Sequence, residues 1–390
     1  FDTRNAVFRV ITKKLRVMNI QMVDLYNQYL KIKDEIDAEM QEVIQSSVFV
    51  KGGKVNEFEE NLKQYLEVNH VITCGNGTDA LQIALMAADL KEGDEVITTP
   101  FTFVSTLEVL AFMKLKPVLA DVDPGTFTIR PELVSQHITN QTKAIVPVHL
   151  YGQCAEMEPL IKIAQDNNLI LIEDACQALG TEYIFSNGMA ARAGTIGDMA
   201  CNSFFPTKNL GAFGDGGAIY TNNNDLALNM RSIANHGMSK RYYYQQIGMN
   251  SRLDAIQAAI LNVKLRYLDV YIAARQSAAN FYDRELSAIP GIIIPERAAY
   301  SSHTFHQYTI KVAKKRDELQ QFLSAKGIPS MVYYPMPLHL QEAYRYLGYR
   351  KGDFPVSEKL SEQVLSLPMH TELTEEQLYA ITSAIREFFS

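Results

Sequence analysis

Four cysteines in 390 residues, Cys74, Cys154, Cys176 and Cys201, are too few and too far apart for a disulfide scaffold, and no CxxC pair suggests a zinc knuckle. Reduced thiols and a cytoplasmic setting are expected. Positive charge is also in short supply. A formal net charge of -7 gives no general attraction to a phosphate backbone or an anionic lipid, so neither nucleic acid nor a membrane is expected as a partner. No apolar run approaches the ~20 residues that span a bilayer, and no signal-like apolar segment opens the chain. Repeats of fixed period and long polar tracts are missing, which excludes solenoids and disordered tails. The eight histidines show no HExxH or short paired spacing, so no metal is expected, and His149 and His236 read as hydrogen-bonded loop residues.

What is present is a large apolar fraction, 47% of residues, enough for one large and one small domain. Residues 1–18 read as a leader or extension. From Tyr26 to Ser47 apolar residues recur at helical spacing. Short apolar runs then alternate with helical patterns: "HVITCGNG", "DEVITTP", "KPVLADV", "KAIVPVHLYG" and "NLILIEDA". "LILIED" is apolar without alternation, as in parallel strands covered on both faces. An α/β domain over 19–265 is expected, followed by a smaller α+β domain over 266–390 that begins with the long helical pattern after Leu265. No GxGxxG follows the first strand, which disfavours a nicotinamide site.

In open α/β sheets ligands sit beyond the carboxyl ends of the strands, and the chemistry-bearing residues fall at such ends. "CGNGTDAL" sets Gly75, Gly77 and Thr78 between strand and helix, either as a phosphate cradle or as a plain turn with Thr78 as the cap. "LILIEDACQALG" ends a buried strand on Glu173 and Asp174, and Asp174 either serves a ligand or caps a following helix. "PFTF" offers Phe101 and Phe103 as stacking faces or as core. Ser203 and Lys208 lie at and beyond the end of "MACNSFF", ahead of the glycines of "GDGG", which read as a tight turn with positive φ.

A phosphate cradle, a strand-end carboxylate, an aromatic face and a lysine in apolar surroundings are together what pyridoxal phosphate needs. The motifs "NGTDALQIAL", "GDEVITTPFTFVST", "VPVHLYGQCA", "IEDACQALG", "SFFPTKNLGAFGDGGAIYTN", "GMNSRLDAIQAAIL" and "YYPMPLHLQ" resemble the DegT/DnrJ/EryC1/StrS sugar aminotransferases of fold type I. The likeness runs from about Val23 to near the C-terminus. It implies a mainly parallel seven-stranded sheet and Lys208 as the catalytic Schiff-base lysine. It implies Asp174 on the pyridine nitrogen, Gln177 on the ring hydroxyl side, Thr78, Ser203 and the Gly77 backbone on the phosphate, and Phe103 as the stacking ring. Asn250 would reach the phosphate from a second subunit, so that a homodimer shares its sites.

A nearer likeness, carried by "LYGQCA", "HGMSKRYYYQQIGMNSRLD" and "SLPMH", is to enzymes acting on UDP-2-acetamido-2-deoxy-3-oxo-glucuronate. It implies glutamate as amino donor, the pyridoxamine form between half-reactions, and a role in surface polysaccharide or nucleotide-sugar biosynthesis. Arg252 would face the sugar carboxylate, with Tyr333 and Tyr334 lining the substrate pocket. Tyr333 stands where the subgroup has histidine, which leaves a dTDP-linked 3-keto-6-deoxy sugar open. Related dehydratases carry histidine at the lysine position, whereas "PTKNLG" keeps Lys208.

Overall fold

The computed structural model describes residues 19–390, so the expected leader over 1–18 lies outside the described residues. Seven strands form the central sheet: β1 (His70–Cys74), β2 (Glu95–Thr98), β3 (Lys116–Leu119), β4 (Thr142–Ile145), β5 (Ile170–Asp174), β6 (Met199–Ser203) and β7 (Gly217–Thr221). Their spatial order is β1-β7-β6-β5-β4-β2-β3. Only β7 runs against its neighbours, pairing antiparallel with both β1 and β6. The remaining pairs are parallel, so the carboxyl ends of β1, β2, β4, β5 and β6 share one edge.

Both faces of the sheet are covered, which is why its strands are apolar at successive positions. Val71 packs with Phe58, Leu62 and Leu261 on one side, while its neighbour Ile72 packs with Leu81, Leu85 and Met230 on the other. Each such side chain contributes about 1.5–3 kcal/mol when withdrawn from water. A smaller antiparallel sheet, β8 (Ile292–Ile293), β9 (Tyr308–Val312) and β10 (Val364–Leu367), packs on the long helix Leu268–Leu286 and the final helix Glu375–Phe388. Ile20 is buried in that same C-terminal core, and Gln28 donates to Thr371 (3.2 Å), so the start of the described chain is tied to the small sheet.

Two local expectations are corrected. The amphipathic stretch from Tyr26 is two helices, Leu25–Lys31 and Lys33–Ser46, broken at Ile32. Ile32 leaves helical geometry (φ -126°, ψ 20°), and its side chain is buried against Ile36, Ile260 and Val263. None of Gly214, Gly216 and Gly217 has positive φ. Close approach is the constraint: a Cβ on Gly217 would stand 2.3 Å from the Asn76 carbonyl oxygen.

Candidate active site

Register builds the site. Ser203, Gly217 and Cys74 lie in one row across β6, β7 and β1, and Asp174 of β5 is paired with Cys201 of β6. With no side chain on Gly217, the turn after β1 passes over this row and starts the helix Gly77–Ala87 directly above Ser203. Asn76, not Thr78, caps that helix, its side chain accepting from the Asp79 N–H at 2.8 Å. The Thr78 hydroxyl is left to pair with Ser105 (2.7 Å), the first residue of the helix Ser105–Phe112. Two hydroxyls at two helix N-termini, with Ser203 beside them, make an anion cradle. A Cβ on Gly77 would lie 2.7 Å from the Ser203 Cβ and 3.0 Å from the Cys176 Sγ, so the cradle closes only on glycine. Ser105 was missed by sequence reading; its place in "FVSTLEVL", opening a helix after a strand end, was the available signal.

Asp174 ends β5 almost buried. Its carboxylate accepts from the Thr106 hydroxyl (3.0 Å) and the Cys176 N–H (3.2 Å), both neutral donors, and forms no ion pair among the described residues. No helix follows it; the residue makes a turn, not a cap. Glu173 serves a different end. It is wholly buried and accepts from the N–H groups of Gly194 (2.8 Å), Ile196 (2.7 Å) and Gly197 (2.6 Å), with His149 Nε2 at 2.8 Å. His149 Nδ1 accepts from the Ala155 N–H (3.0 Å), which puts its proton on Nε2 and makes it a structural donor, as its loop position suggested.

Lys208 sits in the loop that crosses from β6 to β7. The Phe204 N–H donates to the Gly216 carbonyl (2.7 Å) and the Ala212 N–H to the Phe204 carbonyl (2.8 Å), closing the loop at its base. Buried Lys264 donates to the Gly211 carbonyl (2.5 Å) from the helix Ala255–Leu265 below. The Lys208 amine makes no hydrogen bond or ion pair among the described residues. Burial holds its pKa below the ordinary lysine value, offset in part by Cys176, Asp174 and Cys201. Cys176 and Cys201 join Asp174 in a cluster whose donor atoms lie within 4.8 Å of one another, a grouping that histidine spacing could not announce. The Cys201 thiol lowers the Cys176 pKa, but burial and Asp174 outweigh it and the net shift is upward.

These groups face one cavity of ≈ 830 Å³. Phe103, half exposed, stands at its mouth 6.4 Å from the Tyr334 ring, while Phe101 is wholly buried in the core. Gln177 accepts from the Tyr151 N–H (2.9 Å) and donates to the Tyr334 hydroxyl (3.2 Å), keeping one amide hydrogen for a ligand. Tyr333 and Tyr334 line the same wall, and Tyr151 donates to the Tyr333 carbonyl. The cavity therefore brings together Gly77, Thr78, Phe103, Asp174, Gln177, Ser203, Lys208, Tyr333 and Tyr334. Asn250 and Arg252 are not among them. Asn250 is exposed and bridged to Asn235, and Arg252 faces a separate cavity with Arg231 and Lys51. The residues present fit pyridoxal phosphate on three observations: an Asp174 carboxylate without a cation, a half-buried, unpartnered Lys208 amine facing the cavity, and an anion cradle that a Cβ would fill.

The model of the DegT/DnrJ/EryC1/StrS aminotransferase family matches residues 30–386. The chain is 48% identical over 374 residues to the "Pleiotropic regulatory protein" of Geobacillus stearothermophilus, covering 95% of this chain and 99% of that one. It is 42% identical over 366 residues to the UDP-2-acetamido-2-deoxy-3-oxo-D-glucuronate aminotransferase of Pseudomonas aeruginosa, with 94% and 99% covered. Among solved structures, S. venezuelae DesV in complex with a ketimine intermediate superposes with a TM-score of 0.92 at 36% identity, covering 95% of this chain and 99% of that one.

Proposed function

The chain belongs to the DegT/DnrJ/EryC1/StrS aminotransferase family, and from that premise we propose that it transfers the amino group of glutamate to a UDP-linked 3-oxo sugar in cytoplasmic nucleotide-sugar or surface-polysaccharide biosynthesis. The reaction exchanges the amino group of the donor for the carbonyl oxygen of the sugar. Pyridoxal 5'-phosphate, the family's cofactor, supplies an electron sink when bound. One observation carries the reading: the unpaired Lys208 amine shares a cavity with a carboxylate that lacks a cation and with paired hydroxyls at two helix N-termini.

Each role follows from local chemistry. Asp174 keeps a pyridine nitrogen protonated, because its only other partners are neutral donors. Thr78, Ser105 and Ser203 hold the phosphate against two helix N-termini, and the Gly77 backbone permits the approach. Phe103 covers one face of the ring, and Gln177 turns its spare amide hydrogen to the ring oxygen. Lys208, with its pKa held down by burial, is nucleophilic without a separate base and, in each half-reaction, would move the proton between the substrate carbon and the cofactor carbon. Tyr333 and Tyr334 border the sugar.

Asn250 and Arg252 lie outside this cavity, and in our reading they enter the site of a second copy in a homodimer, Asn250 on phosphate and Arg252 on the sugar carboxylate. The experiment loads the protein with cofactor and glutamate, follows loss of the visible band, and then offers UDP- and dTDP-linked 3-keto and 4-keto sugars. Return of the band with UDP-linked 3-keto sugars alone supports the reading. Return only with 4-keto sugars would overturn the regiochemistry, and sugar amination that survives in Lys208→Ala would remove the lysine from its role.

A further inference from the structure

His306 reaches the same cavity from the segment just before β9. The Thr304 N–H donates to the Gly152 carbonyl (2.9 Å), and the Gln307 N–H to the Tyr151 carbonyl (3.3 Å), fixing the backbone on either side of the ring. The residue is 6% exposed. Its Nδ1 is wholly buried and has no partner, and neither ring nitrogen makes a hydrogen bond among the described residues. Nε2, which is not among the fully buried unpartnered atoms, is therefore the nitrogen that keeps contact with the cavity.

The tautomer follows from cost. A buried N–H without an acceptor is rarer in folded proteins than a bare acceptor, so the hydrogen belongs on Nε2 and the lone pair on Nδ1. The ring stays neutral, because burial pushes its pKa well below the ordinary histidine value and the cations Lys208 and Arg275 add to the effect. Arg275 is itself buried. It donates to the carbonyls of Phe305 (3.2 Å), His306 (3.4 Å) and Met369 (3.0 Å) and has no carboxylate partner among the described residues. Arg275 does not line the cavity; the Lys208 amine and the unused Nε2–H of His306 do, and neither has a hydrogen-bond partner among the described residues.

We propose that His306 is a ligand-contacting residue that donates its Nε2–H to an anionic oxygen on the Lys208 side of the cavity, either the phenolic oxygen of the cofactor or a carboxylate of the amino donor. The proposal rests on the aminotransferase reading, and the experiment keeps the two apart. First, 15N-histidine spectra of the cofactor-loaded protein at pH 7 should show His306 neutral with its hydrogen on Nε2. A hydrogen on Nδ1, or an imidazolium, would overturn the proposal whatever the protein catalyses.

Second, His306→Phe and His306→Gln are loaded with cofactor. If the ring oxygen is the acceptor, His306→Phe raises the pH midpoint of the visible band by about one unit, because lost donation makes that oxygen more basic. If the carboxylate is the acceptor, the midpoint holds and the glutamate concentration for half-bleaching rises about tenfold. His306→Gln, which carries an N–H to nearly the same point, should recover most of either change. A folded, cofactor-loaded His306→Phe that alters neither quantity refutes the contact. Should wild type fail to bleach with glutamate, the aminotransferase reading falls, while the tautomer and the pH midpoint still decide the role of His306.

Discussion

Glu173 and Asp174 are adjacent carboxylates with unlike surroundings, and that difference is measurable. Glu173 has three backbone N–H donors and His149 around it, all buried. Glu173→Gln turns an amide N–H toward at least one of those donors, so it should cost about 2–4 kcal/mol of stability, read as a lower midpoint in urea, while cofactor affinity in the folded fraction holds. Asp174→Asn should do the reverse. Its unfolding midpoint stays close to wild type, and cofactor affinity falls about 10–100-fold because the charge-assisted bond to the pyridine nitrogen is gone. Equilibrium cofactor titration beside the urea curve separates the two variants. Strand position marked both residues as a strand-end pair and only the family likeness singled out Asp174; what occupies Glu173 depends on where Gly194 to Gly197 fold back, which no local pattern shows. The thiols show the same limit: Cys176 and Cys201 are 25 positions apart, and only the β5–β6 register makes them neighbours.

At the scale of elements, the loop bearing Lys208 depends on a second lysine. Lys264 projects from the helix Ala255–Leu265, is buried beside the Phe213 ring, and pins the loop through the Gly211 carbonyl. Burial, with the charge of Arg275, lowers its pKa from 10.5 to about 8. Between pH 8 and 10.5 the unfolded chain therefore binds a proton that the folded chain does not, and stability rises with pH across that window. The contribution amounts to about 3 kcal/mol. Lys264→Met removes it, so the stability of the variant minus that of wild type should be constant below pH 8 and fall by about that amount toward pH 10.5; a flat difference would sink the assignment. The cradle offers a parallel case. Gly77→Ala sets a Cβ 2.7 Å from the Ser203 Cβ, and phosphate-dependent cofactor affinity should fall at least about tenfold as the helix start is pushed off β6. The alternation of strands and helices was legible because apolar runs encode burial on both faces. Cap identity was less so: Asn76 and Thr78 are both good caps, and the choice between them was made by Gly217, 141 positions beyond Asn76.

For the whole molecule, the division of the named residues between two surfaces has a consequence that one chain cannot express. Lys208 and Asp174 lie inside the cavity, whereas Asn250 and Arg252 lie outside it, beside an exposed segment that carries Tyr242, Tyr243, Tyr244 and Ile247. Sequence order gave no warning of this, since Arg252 is only 44 positions from Lys208. The intervening β7 and the helix Asn224–Ile233 carry the chain away from the cavity to the far side of β1. If Arg252 serves the cavity of a second copy, then Lys208→Ala and Arg252→Ala damage different halves of the same site. Each variant alone should be almost inactive in sugar amination. Mixed by co-expression, or by refolding together, half of the dimers formed at random contain one chain of each kind. Each mixed dimer has one site bearing both defects and one bearing neither, so activity should return to about a quarter of wild type. A mixture no more active than its parts would place Arg252 outside the shared site, whatever the oligomeric state. Cofactor binding supplies the control. Lys208→Ala loses the visible band in its own chain, Arg252→Ala keeps it, and the band of the mixture should equal the fraction of chains that retain Lys208 whether or not activity is restored.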